Sequence, residues 1–123
     1  KVDLYGKRLF SEVLRYAASV KDIIKDETFD VIHAHDWLSF LAGMEAKKVS
    51  GKPLVVHVHA TEFDRTGGSN VNQEVYEIEK EGMEKASAVI TVSNFTKNIT
   101  SKHYGIEQGK VHVVHNGLLT YWV

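Results

Sequence analysis

Four of the chain's seven histidines fall in two short stretches, Val31-Ile32-His33-Ala34-His35-Asp36-Trp37 and Leu54-Val55-Val56-His57-Val58-His59-Ala60. Side chains alternate along a strand, so His33 shares a face with His35, and His57 with His59. If the two strands are neighbours, the four imidazoles lie close together. A His-x-His pair can supply two nitrogen ligands to a metal, with Asp36 or Asp64 as an oxygen ligand. Neither pair has a recognised zinc spacing and no group to orient the rings can be named, so no metal is assigned. His33 and His57, inside their strands, are expected as buried polar groups paired with their neighbours. His35 and His59 stand one step from the strand ends and are expected to touch a ligand.

Asp36-Trp37 joins an acceptor carboxylate to a flat apolar ring, a combination that recognises sugars. The same pair also reads as a helix N-cap followed by a core tryptophan, the preferred reading of two residues alone. Glu62 and Asp64 could form an acid/base pair, although carboxylates on an exposed loop ordinarily stay ionised in water. Thr66-Gly67-Gly68-Ser69-Asn70 precedes a helix and could offer backbone N–H groups to a phosphate. It carries no phosphate-loop or dinucleotide fingerprint, and a flexible turn with a Ser or Asn cap is the simpler reading. Ser93 lacks a nucleophile-elbow context, and His115-Asn116-Gly117 reads first as a strand-ending turn. No convincing nucleophile is present.

These side chains require elements to hold them. Over residues 7–25, Phe10, Val13, Leu14, Ala17 and Ile24 recur at helical spacing among charged residues, which predicts an amphipathic helix. A strand follows at 31–35, and Asp36 is placed to cap a helix over 37–49, ended by Ser50-Gly51-Lys52-Pro53. Residues 54–59 form the second strand and 60–70 a long irregular loop, of the kind that often carries function. Val71, Val75, Ile78, Gly82 and Ala86 predict a helix over 71–86, with Glu77, Glu79, Lys80, Glu81, Glu84 and Lys85 as its solvated face. A strand at 88–92, a helix capped by Ser93-Asn94 and ended before Gly105, and a strand at 110–115 complete the pattern. Residues 118–123 have no assignment. Strands alternating with helices, without in/out alternation in the apolar runs, imply an α/β fold: a parallel sheet of about four strands with helices on both faces. Ligands of such sheets sit beyond the carboxyl ends of the strands, where His35, Asp36, Trp37, His59, Thr61, Glu62 and Asp64 are delivered.

Composition excludes several classes of function. A formal charge of −1 over 123 residues offers no field for nucleic acid or an anionic membrane. No cysteine is present, so disulfide and thiolate chemistry are excluded. No apolar run approaches a membrane span, and the first residues lack the apolar core of a signal peptide, so a soluble, cytoplasmic protein is expected. The length permits one domain with a real core but is short for a complete two-substrate enzyme.

Taken together, the 29–37 stretch, Val56-His57-Val58-His59-Ala60-Thr61-Glu62-Phe63-Asp64-Arg65, Ala88-Val89-Ile90-Thr91-Val92-Ser93 and His115-Asn116-Gly117 resemble the N-terminal domain of retaining GT-B glycosyltransferases. The nearest likeness is to the glycogen and starch synthase group and its relatives in glycosyltransferase family 4. The resemblance implies two Rossmann-like domains facing a cleft, the nucleotide sugar (UDP- or ADP-glucose) held mainly by the C-terminal one and a glucan acceptor mainly by the N-terminal one. It implies transfer with retention, with no required metal or other cofactor and no firmly established protein nucleophile. His59 matches the strand-end histidine that approaches the donor sugar, Asp36 and Trp37 match residues lining the cleft, and Ser93 and Asn94 fall where the next strand end reaches it. The family's opening strand with its glycine-rich loop does not precede Lys1, and its C-terminal domain does not follow Val123. Leu118-Leu119 also replaces the usual hydrophobic residue and Asp after Asn116-Gly117. Residues 1–123 are thus expected to be the second half of an acceptor-side domain, inactive alone, with exposed sheet edges through which it could dimerise; the alternatives are another family 4 hexosyltransferase with a lipid or sugar-phosphate acceptor and a non-catalytic glucan-binding module.

Overall fold

A computed structural model describes residues 6–116. The first helix, α1, covers Gly6–Ile24 and is followed by β1 (Ile32–His35), α2 (Trp37–Ser50), β2 (Leu54–Val58) and a one-turn helix, α3 (Glu62–Thr66). Then come α4 (Gln73–Lys85), β3 (Ala88–Thr91), α5 (Asn94–Tyr104), a 3-10 turn at Gln108–Lys110 and β4 (Val111–Val113). All four strands are parallel and lie in chain order β1-β2-β3-β4, with Ala34 beside Val56, Val56 beside Val89 and Val89 beside Val111. The expected parallel α/β sheet is therefore present. Leu118-Leu119 and Gly117, on which the strand-ending turn and the crossing to a second domain depended, lie outside the described residues.

The register puts Ala34, Leu54, Val56, Val58, Val89 and Val111 on one face, where they form a single core with Phe40 of α2, Met83 of α4 and Tyr104 of α5. Helices on both faces were expected; among the described residues, the helices packed on the sheet lie on this one. The other face carries His33, His35, Val55, His57, Ala88, Ile90 and His112, all exposed or half-exposed. The in/out alternation missed in the sequence is thus real, disguised because that face mixes histidine with aliphatic residues.

Close approach fixes how α2 sits. A Cβ on Gly43 would meet Ala34 and Leu54 at 3.0 Å, and one on Gly82 would meet the Phe40 ring at 2.5 Å, so α2 rests directly on β1 and β2 and against α4. Helix α1 packs against α2 through Val13, Ala17, Val20 and Ile24. Leu14, assigned to that stripe from spacing, is 60% exposed, and Val20 takes the buried place instead. The edge strands β1 and β4 have four and three residues; such short edges limit pairing with another chain.

Candidate functional site

The carboxyl ends of β1 and β2 are tied together by one aspartate. Asp36 leaves β1 with φ 59° and ψ 170°, a region that residues with a Cβ rarely occupy. Its N–H donates to the His57 carbonyl at 2.9 Å, and its Oδ1 accepts the His59 N–H at 2.8 Å. Asp36 does stand at the N-cap position of α2, yet its side chain makes no cap bond to that helix. The carboxylate reaches sideways across the end of β2 and fixes the backbone at His59. His59 itself is exposed.

The four histidines meet as their spacing suggested. His33 Nε2 is 3.2 Å from His57 Nδ1, and His35 Nδ1 is 3.1 Å from His59 Nε2, each pair sharing one proton. The rings stack in a patch, with centroids 4.3 Å apart for His57 and His59 and 4.4 Å apart for His33 and His35. Expected as buried groups, His33 is exposed and His57 half-buried, because their face of the sheet is open. Both are held below the usual imidazole pKa, first by desolvation and then by repulsion from neighbouring imidazoles. His57 Nε2 is buried without a hydrogen-bond partner.

Trp37 is buried, 4% exposed, in a cluster with Val13 and Val75, its ring centroid 5.5 Å from that of Phe10. The core reading of Asp36-Trp37 therefore holds for the tryptophan, and its ring is not free to stack on a sugar. Glu62 also departs from expectation. It lies on α3 rather than an exposed loop, is 1% exposed, and accepts from the Asn72 N–H at 2.9 Å and from Arg65 Nε at 3.3 Å. Asp64 is committed to a capping box, its Oδ2 accepting from the Thr61 N–H at 2.7 Å and from Thr61 Oγ1 at 2.9 Å. Glu62 and Asp64 are thus structural carboxylates, not an acid/base pair, and Thr61 is fully buried as the cap of α3.

Residues 66–70 do not form a phosphate cradle at a helix start, since α4 begins at Gln73 and is capped by Asn72. Ser93 caps α5 as expected, accepting from the Thr96 N–H at 3.1 Å, and Asn94 is exposed in its first turn.

A buried network went unread in the sequence. Glu79, assigned to the solvated face of its helix, is 2% exposed. It accepts from Tyr104 Oη, from Arg65 Nη2 at 2.7 Å and from the Glu62 N–H at 3.1 Å. Burial pushes its carboxyl pKa up, with these donors pulling against that shift, and burial together with Glu79 pushes the Tyr104 phenol up. Arg65 also donates to the Ala60 carbonyl at 2.8 Å, which anchors the backbone immediately after His59. The available signal was spacing: Glu79 stands four residues after Val75, on the apolar stripe.

Residues 1–120 match the profile of Glycosyltransferase Family 4. The chain belongs to glycosyltransferase family 4. Among curated relatives of this family 4 chain, an uncharacterized glycosyltransferase of Methanocaldococcus jannaschii is 32% identical over 98 residues, 78% of this chain and 25% of the relative. An alpha-maltose-1-phosphate synthase of Mycolicibacterium smegmatis is 32% identical over 112 residues, covering 85% of this chain and 28% of that protein. A glycogen synthase of Mycobacterium tuberculosis is 25% identical over 111 residues, 86% of this chain and 27% of the synthase. A glycosyltransferase crystal structure from Rickettsia africae superposes with a TM-score of 0.60 at 22% identity, covering 96% of this chain and 28% of that one; it establishes the fold. The family 4 chain spans about a quarter of the length of the curated relatives it matches. No helix among the described residues is long and apolar enough to cross a membrane.

Proposed function

We propose that residues 1–123 are the acceptor-side part of a retaining hexosyltransferase that moves glucose from UDP- or ADP-glucose to an α-1,4-glucan. The observation that carries the reading is the Asp36 clamp: it holds an exposed histidine, His59, at the strand ends where ligands of parallel sheets sit. Family membership supports glycosyl transfer, and the relative named glycogen synthase supports a glucan acceptor, whereas the one named for maltose-1-phosphate synthesis favours a sugar-phosphate acceptor.

In the reaction the bond from the anomeric carbon to the diphosphate breaks, and the electron pair leaves with the nucleoside diphosphate. An acceptor hydroxyl forms the new bond on the same face and gives its proton to the departing diphosphate oxygen. His59, through its imidazole or backbone, orients donor hydroxyls and stabilises positive character at that carbon. His35 and Asn94 line the same end, while Asp36 acts through His59. Trp37, Thr61, Glu62, Asp64 and Ser93 serve this reading as scaffold. The nucleotide-sugar domain is supplied by the rest of the protein, and the described residues alone do not transfer.

A second reading, a family 4 transferase with a lipid-linked acceptor, is favoured by one relative. A UDP-Gal:alpha-D-GlcNAc-diphosphoundecaprenol alpha-1,3-galactosyltransferase of Escherichia coli is 28% identical over 101 residues. The test uses the full reading frame that encodes this chain, offered glycogen and a prenyl-diphosphate sugar as acceptors. His59→Ala is expected to lower kcat by about 10²-fold or more, with folding unchanged. Unchanged turnover removes His59 from the reaction, and transfer to the lipid alone replaces the glucan reading.

A further inference from the structure

The open sheet face concentrates more imidazole than the transferase reading uses. His33, His35 and His57 each offer one nitrogen, and the three nitrogens lie within 4.8 Å of one another. We infer that these three histidines form a binding site for a divalent transition metal such as Zn2+, with His59 as the group that orients His35. The inference does not depend on glycosyl transfer.

Three features of the geometry point there. A tetrahedral ion bonded to imidazole at about 2.0–2.1 Å sets its ligand nitrogens about 3.3–3.4 Å apart. The 3.2 Å between His33 Nε2 and His57 Nδ1 already approaches that edge, and exposed rings on one strand face close the remaining gaps by small side-chain rotations. Second, His57 Nε2 is buried without a hydrogen-bond partner, so Nδ1, which faces His33, is the nitrogen that His57 offers. Third, ligating histidines generally hand their other ring N–H to an acceptor, which fixes the tautomer. His35 Nδ1, 3.1 Å from His59 Nε2, has that acceptor, leaving its Nε2 to the ion. The register that pairs His35 with His57 builds the cluster from two parallel strands, which explains why spacing along either strand alone matches no zinc motif. A neutral imidazole set suits Zn2+, Cu2+ or Ni2+ and disfavours Mg2+ and Ca2+. The open face leaves the fourth position to water.

The experiment is a titration of the 123-residue chain, free of any affinity tag, with zinc chloride and, separately, magnesium chloride. One Zn2+ per chain is expected, with no Mg2+ uptake. His57→Ala abolishes the site, His59→Ala weakens it about tenfold or more, and His112→Ala, on the same face but on β4, leaves it unchanged. Should His57→Ala fail to fold, trace Cu2+ added to the unaltered chain reads the site through proton NMR. Ring signals of His33, His35 and His57 broaden before those of His103 and His112. No saturable Zn2+ uptake, uptake indifferent to the three ligands, or first broadening at His103 or His112 overturns the assignment.

Discussion

Asp36 is the residue on which the strand-end geometry turns. At φ 59° it occupies a region that typically costs about 1–3 kcal/mol for a residue with a Cβ. What it gains in return is a charged hydrogen bond to the His59 N–H, worth about 1.5–3 kcal/mol. Three substitutions separate these opposing terms in urea unfolding of the chain. Asp36→Ala keeps the strained backbone and loses the acceptor, so it is expected to lower stability by about 1.5–3 kcal/mol. Asp36→Gly loses the same acceptor but relieves the strain, so it costs clearly less. Asp36→Asn retains a neutral acceptor and falls near the native protein. If Gly is as damaging as Ala, the backbone there is not strained and the clamp is not the reason Asp stands at this position.

At the scale of elements, helix α2 depends on two glycines to reach its neighbours. Replacing Gly82 by alanine gains about 1 kcal/mol of helix propensity. It also drives a methyl group to 2.5 Å from the Phe40 ring, and overpacking of this sort costs about 1–3 kcal/mol. Gly82→Ala is therefore expected to lower the thermal midpoint, whereas Gly82→Ala with Phe40→Leu restores part of the loss; a raised midpoint in the single variant would mean that α2 and α4 are not in contact there. Most elements were legible because each announces itself locally: Ser93 and Gly105 bracket α5, and Gly51 ends α2 in a left-handed conformation. Position in the fold was less legible. Nothing local says that the His33 face is open, or that Glu79 and Glu62, typed as surface residues, are buried. Both carboxylates are bonded to Arg65, fourteen residues from one and three from the other. Their burial is decided by that partner and by Tyr104, and so by tertiary contact rather than by any single helix. The strand-end positions of His35, Asp36 and His59 were legible in the sequence, and Trp37 lies buried between α1 and α4, the reading its two-residue context had favoured.

Across the whole molecule, Glu79 is where α3, α4 and α5 are joined, because its carboxylate accepts from Arg65, from the Glu62 N–H and from Tyr104. Breaking a buried ionic network is costly because the remaining charge stays desolvated. Burial raises the Glu79 pKa above 4.5, so folding binds a proton more readily than the unfolded chain does. The sign follows from linkage: this term favours the fold below the unfolded pKa and is lost as pH rises through the folded one. The Tyr104 hydroxyl is the first of the donors that oppose the shift. Tyr104→Phe removes it, which raises the Glu79 pKa further and enlarges the penalty that the ionised carboxylate imposes once pH has risen past the folded pKa. The loss in stability is therefore expected to be larger at pH 7, about 1.5–3 kcal/mol for a hydrogen bond to a charged group, than at pH 4, where the carboxyl is increasingly protonated. Urea unfolding of both proteins at the two pH values measures it. An equal loss at pH 4 and pH 7 would mean that the Tyr104 hydroxyl supports the fold equally whether the Glu79 carboxyl is protonated or ionised. Arg65 of the same network also holds the Ala60 carbonyl, so one guanidinium serves both the carboxylate that joins the three helices and the backbone next to His59.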